Sequence, residues 1–213
     1  MNFLDKSKGY IFFIRHGQTE WNVLKKLQGR DEIPLNEVGI SQAEDACLGI
    51  KNACLKTGIK FDKVISSPLS RASVTGKMIA EAVLCDSFFT DERIIERDFG
   101  VLSGSPYGPQ SSAIVEDVPE IQGLEPMNEV INRLNSFIKD NVSMGECVIV
   151  VTHGSVTKIF AKNAKHSPSV TNFNELLSNC HMVIYSFDGN EVLLEGYNIS
   201  PDKLSEFILK NME

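Results

Sequence analysis

The apolar run Tyr10-Ile11-Phe12-Phe13-Ile14, followed at once by Arg15-His16-Gly17, constrains the fold of this chain more than any other stretch. Unbroken hydrophobicity over so few residues describes a short buried strand, the kind found in parallel α/β sheets. Such sheets present their functional groups at the carboxyl ends of the strands. Arg15 and His16 are therefore expected at a functional edge. Histidine is the side chain that can act as a neutral nucleophile near pH 7, and arginine brings a fixed fork of donors matched to phosphate oxygens. The pairing suits phosphate chemistry.

Beyond this strand the chain alternates. Ile40, Ala43, Cys47, Ile50 and Cys54 recur at steps of three and four, one apolar stripe on a helix near 36–56. A strand near 62–66, a helix near 68–84, an irregular stretch, a helix near 127–140, an apolar strand at 147–151 and a short helix after Gly154 follow. Two closing strands, 182–187 and 191–197, flank Asp188-Gly189-Asn190, residues that tolerate positive φ and so signal a hairpin. The pattern implies a three-layer α/β fold: a mainly parallel central sheet with an antiparallel edge and helices on both faces. With 213 residues and 42% hydrophobic content, a single domain over 1–213 is expected, with a small irregular or helical cap from about 98 to 127.

His16, the Ser67-to-Arg71 turn and His153 each follow a hydrophobic strand, and parallel strands would bring all three to one edge. In the middle segment Ser67 can cap a helix, Pro68 fits its first position and Arg71 falls in its first turn. A helix start already carries partial positive charge and free N–H groups. An arginine there completes an anion site.

The continuation Arg15-His16-Gly17-Gln18-Thr19-Glu20-Trp21-Asn22, then Leu27-Gln28-Gly29-Arg30-Asp31 and Pro34-Leu35, resembles the start of the histidine phosphatase (phosphoglycerate-mutase-like) superfamily. The resemblance recurs in order at Ser66-Ser67-Pro68-Leu69-Ser70-Arg71-Ala72, Glu96-Arg97-Asp98-Phe99-Gly100, Thr152-His153-Gly154 and Ser178-Asn179-Cys180. It implies phosphomonoester hydrolysis through a covalent phosphohistidine. His16 would be the nucleophile, its second ring nitrogen held by a backbone carbonyl. Arg15, Arg71 and a His153 protonated when phosphate is bound would stabilise the equatorial oxygens. Glu96 would be general acid and then general base, a double use that needs a pKa raised by burial and by the nearby phosphate. Asn22, Gln28, Gly29 and Gly154 are expected to contact substrate, Asn22 through its amide and Gly29 through loop backbone N–H. The acid-phosphatase branch carries an aspartate where this chain has Gly154, which disfavours that branch.

Composition excludes other classes. A formal charge of −7 argues against nucleic acid as a partner; surface carboxylates are screened beyond about 8 Å at physiological salt, so they do not forbid an anionic ester. The apolar runs are too short to cross a bilayer and the N-terminus lacks a signal-peptide core, so neither membrane nor secretion is expected. Five cysteines, odd in number and without ligand spacing, read as reduced thiols of a cytoplasmic protein. His166 and His181 lack metal-ligand spacing, Trp21 reads as packing and Glu20 as solvated. No metal or cofactor is expected. The expected partners are a small phosphorylated metabolite and the product phosphate, and a homodimer is compatible with the chain.

Phosphatase and cofactor-dependent phosphoglycerate mutase share this chemistry up to the phosphohistidine. The family's mutases place extra Lys and Arg after the acid; from Asp98 to Asn132 this chain has none, while Glu116, Asp117, Glu120 and Glu125 add negative charge. Pro106, Tyr107, Pro109, Ile114 and Val115 would line an apolar mouth. Hydrolysis is favoured, although Glu96-Arg97 matches the mutases' own pair. A catalytically idle, phosphate- or protein-binding relative is the remaining alternative.

Overall fold

The computed structural model describes residues 5–106, 121–170 and 175–211. Its sheet holds β1 (Gly9–Arg15), β2 (Lys63–Ser66), β3 (Phe88–Thr90), β4 (Cys147–Thr152), β5 (Lys165–His166), β6 (Met182–Phe187) and β7 (Val192–Ile199), in the spatial order β3-β2-β4-β1-β6-β7-β5. β6 is antiparallel to both its neighbours, and every other adjacent pair runs parallel. β6 is thus the one reversed strand among those described; β7 turns back to run with β1, and β5 lies outside it. β3 and β5 have no counterpart among the expected strands, because two or three residues are too few to show a period.

β1 shows why an unbroken apolar run was required. Alternate side chains of a strand point to opposite faces. Ile11 and Phe13 enter one core with Val148 and Val150 of β4 and Val183 and Tyr185 of β6. Tyr10, Phe12 and Ile14 enter a second core with Ile149, Val151 and Ile184. The first core is covered by α4 (Met127–Asn141) and α5 (Gly154–Asn163), which supply Leu134, Phe137 and Phe160. The second is covered by α2 (Glu37–Thr57), α3 (Ser70–Ala82) and α6 (Leu204–Asn211), which supply Ile50, Ile79 and Ile208. A strand at the centre of three layers has no face left for polar residues.

α2 starts at the Asn36 cap, whose side chain accepts the Gly39 N–H, and ends at Gly58 with φ +73°. α3 departs from expectation. Leu69, extended with ψ 133°, is its cap, so Ser67 and Pro68 precede the helix and Arg71 is its second residue. Ser67 Oγ accepts the Leu69 N–H but is otherwise turned to the far side, where it meets His153. A short α1 (Glu20–Val23) follows β1, closed by a reciprocal cap between Thr19 and Asn22.

The loop leaving β1 is pressed on the first turn of α2. A Cβ added to Gly39 would lie 2.0 Å from the Gln18 carbonyl oxygen, and one added to Gly17 would lie 2.3 Å from that of Gly39. Backbone cannot yield as a side-chain tip can. Gly39→Ala is expected to cost about 1–3 kcal/mol, as overpacking of a close interior contact does. Urea denaturation checks it; an unchanged midpoint would show that the loop is free to move away.

All five cysteines are free, Cys147 and Cys180 buried and Cys47, Cys54 and Cys85 partly so. Among the described residues no helix is long and apolar enough to cross a membrane. Tyr107, Pro109, Ile114, Val115, Glu116, Asp117 and Glu120, expected in the cap, lie outside the described residues.

Candidate active site

The parallel strands β1, β2 and β4 end side by side, and the groups that follow them converge. A cavity of about 340 Å³ opens there. Arg15, His16, Asn22, Gln28, Arg71, Glu96 and Gly154 all line it; His153 and Gly29 are not among the lining, but each touches a residue that is, through the His16 ring and the Arg71 guanidinium.

His16 is buried, and its Nδ1 lies 2.7 Å from the Gly17 carbonyl oxygen. A carbonyl only accepts, so Nδ1 carries the proton and Nε2 holds the lone pair. Burial pushes the His16 pKa well below the ordinary value, and the Arg71 and Arg15 guanidinium groups push it further. The ring is therefore neutral. Its backbone is tied as well: Asn179 Nδ2 donates to the His16 carbonyl at 2.8 Å, and Cys180 N–H donates to that of Arg15 at 2.9 Å. The Arg15 guanidinium donates to the Leu177 carbonyl.

Arg71 is fully buried. Its two terminal nitrogens donate to the Asp31 and Gly29 carbonyls, at 2.6 and 2.8 Å, and its Nε meets no protein acceptor. Arginine stays charged under these conditions. Gly29 thus contributes a carbonyl to Arg71, and its φ of +51° lets the loop turn beneath it.

His153 caps α5 and is fully buried; its ring centroid is 5.2 Å from that of His16. Ser67 Oγ lies 2.8 Å from its Nε2, while Nδ1 has no protein partner. Burial, then Arg71 and His16, lower its pKa well below the ordinary value. The expected protonation of His153 is therefore not a property of the protein alone and needs an anion beside it.

Glu96 is buried, yet the arginines flanking it in sequence do not pair with its carboxyl. Arg93 is held by Asp91 and Asp140, and the Arg97 side chain donates to the Glu125 carbonyl. The Glu96 oxygens instead accept backbone N–H groups of Arg97 at 2.8 Å, Val156 at 3.2 Å and Ser155 at 3.3 Å, the last two from the first turn of α5. Burial raises its pKa, outweighing the lowering by these donors and by Arg71.

Asn22 Oδ1 is committed to the Thr19 N–H and hydroxyl and to Asn179. Gln28 is buried with its Oε1 unpartnered. Glu125, expected to add negative charge to the mouth, is a matched charge instead. It is buried, paired with Arg133 at 2.8 Å and Arg30 at 3.3 Å, and accepts the Asp98 N–H, so its charge is matched. Arg30 also donates to the Glu96 carbonyl at 3.3 Å, which makes Glu125 the anchor between the loop beneath Arg71 and the acid's own segment.

Leu27, Phe99, Leu176 and Leu177 add apolar surface to the cavity; Pro106 is not among its lining. Lys158 lines it too, a residue the sequence reading passed over although it lies one helical turn beyond Gly154. Ser67's contact with His153 and the Asn179 strap were equally unassigned. Both sit within the recurring motifs. His166 and His181 are hydrogen-bonded to backbone away from this cavity, Trp21 is half-buried and Glu20 exposed.

Residues 11–200 match the sequence profile of the histidine phosphatase superfamily (branch 1). Among curated relatives, the probable phosphoglycerate mutase GpmB of Proteus mirabilis is 28% identical over 200 residues, covering 89% of this chain and 90% of that protein. The uncharacterized phosphatase PhoE of Bacillus subtilis is 27% identical over 200 residues, covering 93% and 98%. Among solved structures, a mycobacterial glucosyl-3-phosphoglycerate phosphatase shares the fold with a TM-score of 0.74 and 22% identity, over 90% of this chain and 100% of that one. Because the profile match begins inside β1 and runs through β7, it takes in every element that brings a group to the cavity, and on that extent the chain belongs to the histidine phosphatase superfamily.

Proposed function

We propose that this protein hydrolyses phosphomonoesters of a small metabolite through a phosphohistidine on His16. The observation that carries the reading is the Nδ1 contact with the Gly17 carbonyl, which leaves a neutral Nε2 at the wall of a cavity it shares with two arginines. In the first step Nε2 attacks phosphorus, and the bond to the leaving-group oxygen breaks. Arg15 and Arg71 offset the charge on the equatorial oxygens, and Nδ2 of Asn22 is the amide group left to join them. The dianion beside His153 favours its protonated form, reversing the effect of burial, so His153 becomes a donor only when substrate is present.

Glu96, kept protonated to higher pH by burial, gives its proton to the departing oxygen. Now ionised, it takes a proton from water, which attacks the phosphohistidine and releases inorganic phosphate. Its contacts with the α5 amides hold the carboxyl in place through both steps. Of the expected 98–127 cap, the described Phe99 and Leu124 pack beside Leu27, and Phe99 and Leu27 line the cavity.

Rapid quenching of turnover with ³²P-labelled p-nitrophenyl phosphate is expected to trap an acid-labile, alkali-resistant adduct, and excess EDTA is expected to leave turnover unchanged. Turnover without such an adduct would overturn the mechanism. The mutase named among the relatives supports a second reading. Robust interconversion of 3- and 2-phosphoglycerate with 2,3-bisphosphoglycerate would establish it in place of hydrolysis.

A further inference from the structure

Lys158 lies on α5 four residues after Gly154, on the same helix face and about 6 Å further along the axis. Both line the one cavity. That lining joins His16, Arg15 and Arg71 to the apolar Leu27, Phe99, Leu176 and Leu177, and Lys158 brings a further cation to it.

Arginines beyond the cavity lining have carboxylate partners, and Arg15 and Arg71 within it are held by backbone carbonyls. Arg30 and Arg133 share Glu125, and Arg93 holds Asp91 and Asp140. Lys158 differs: among the described residues no carboxylate is paired with it, and both influences on its ammonium, partial burial and then Lys162, lower its pKa. A partly desolvated charge beside apolar surface is unfavourable until an opposite charge joins it. Among the described residues none does.

We infer that Lys158 selects the leaving group: the preferred esters have an apolar body that packs against Leu27 and Phe99 and a terminal anion that reaches Lys158 Nζ. This rests on the phosphatase reading of the site. Carboxylate and a second phosphorus oxyanion share the required chemistry. In this role Lys158 binds the far end of the leaving group and not the transferred phosphoryl group, so its contribution falls on KM.

The test compares 4-(carboxymethyl)phenyl phosphate, 4-(phosphonomethyl)phenyl phosphate and 4-ethylphenyl phosphate, whose leaving groups are similar in shape and acidity. Wild type is expected to prefer one or both anionic esters over the ethyl ester, and whichever is preferred identifies the anion. Lys158→Ala is expected to lower kcat/KM for the preferred ester about tenfold through KM, leaving the ethyl ester within about twofold, as for one partly exposed charge-assisted contact. Lys158→Glu should reverse the preference toward 4-(aminomethyl)phenyl phosphate. Equal kcat/KM for anionic and ethyl esters in wild type, or equal losses on substitution, would overturn the role of Lys158 and leave the phosphatase reading intact. Failure of wild type to hydrolyse any of these esters would overturn both.

Discussion

Replacing His16 by alanine is expected to lower kcat/KM for p-nitrophenyl phosphate by at least about a thousandfold, the scale on which covalent catalysis fails when its nucleophile is removed. No neighbouring group can take over. His153 is turned to Ser67 by its Nε2, and Glu96 is fixed on the α5 amides. The variant should remain folded, because the ring makes one hydrogen bond, to Gly17, and such a bond contributes about 0.5–1.5 kcal/mol net. It should also still bind phosphate, since Arg71 is anchored on the Gly29 and Asp31 carbonyls independently of His16. The measurements are steady-state kinetics, urea denaturation and calorimetric phosphate titration. A folded, phosphate-binding variant with near wild-type turnover would show that another group is phosphorylated. Phosphate binding without turnover in the wild type itself would favour the idle, ligand-binding alternative.

Glu96→Gln is expected to divide substrates by their leaving groups. Glutamine cannot donate the proton that an alkoxide needs, so kcat/KM for alkyl phosphates should fall about a hundredfold or more, whereas p-nitrophenolate departs with little help. The second step suffers with both, because no carboxylate then activates water. p-Nitrophenyl phosphate should therefore give a burst of one nitrophenol per site, followed by slow turnover. The pH profile separates the roles further. Burial raises the Glu96 pKa, so the wild type keeps its acid form to higher pH than an ordinary glutamate and loses alkyl-ester activity as pH rises through that raised value. Glutamine does not titrate, and this alkaline limb should vanish. Equal losses on alkyl and aryl esters in kcat/KM, with no burst, would remove Glu96 from the acid role.

How much of this was legible beforehand differs from residue to residue. His16 and Arg15 could be placed because β1 announces itself: only a strand between two helical layers needs apolar side chains on both faces. Glu96 could be named from its place in a motif. Its partners could not, since the donors it accepts from α5 are some sixty positions away, Ser155 by 59 and Val156 by 60. The Ser67 cap failed for a similar reason. Serine before proline has the local signature of a helix cap, but the chain stays extended through Leu69 and the hydroxyl meets His153, 86 residues further on.

The amino-acid sequence by itself determined the layered α/β fold, the edge at which the chemistry gathers and the types of side chain that gather there. Those follow from strand and helix periods and from motifs, which are local. Only the tertiary structure decided the states of those groups: that His153 is neutral without a bound anion, that Glu96 holds its proton longer than an exposed carboxyl, that Glu125 is cancelled by Arg30 and Arg133, and that Lys158 has no carboxylate partner among the described residues. Charge and protonation depend on desolvation and on neighbours through space, and in this chain those neighbours arrive from distant segments.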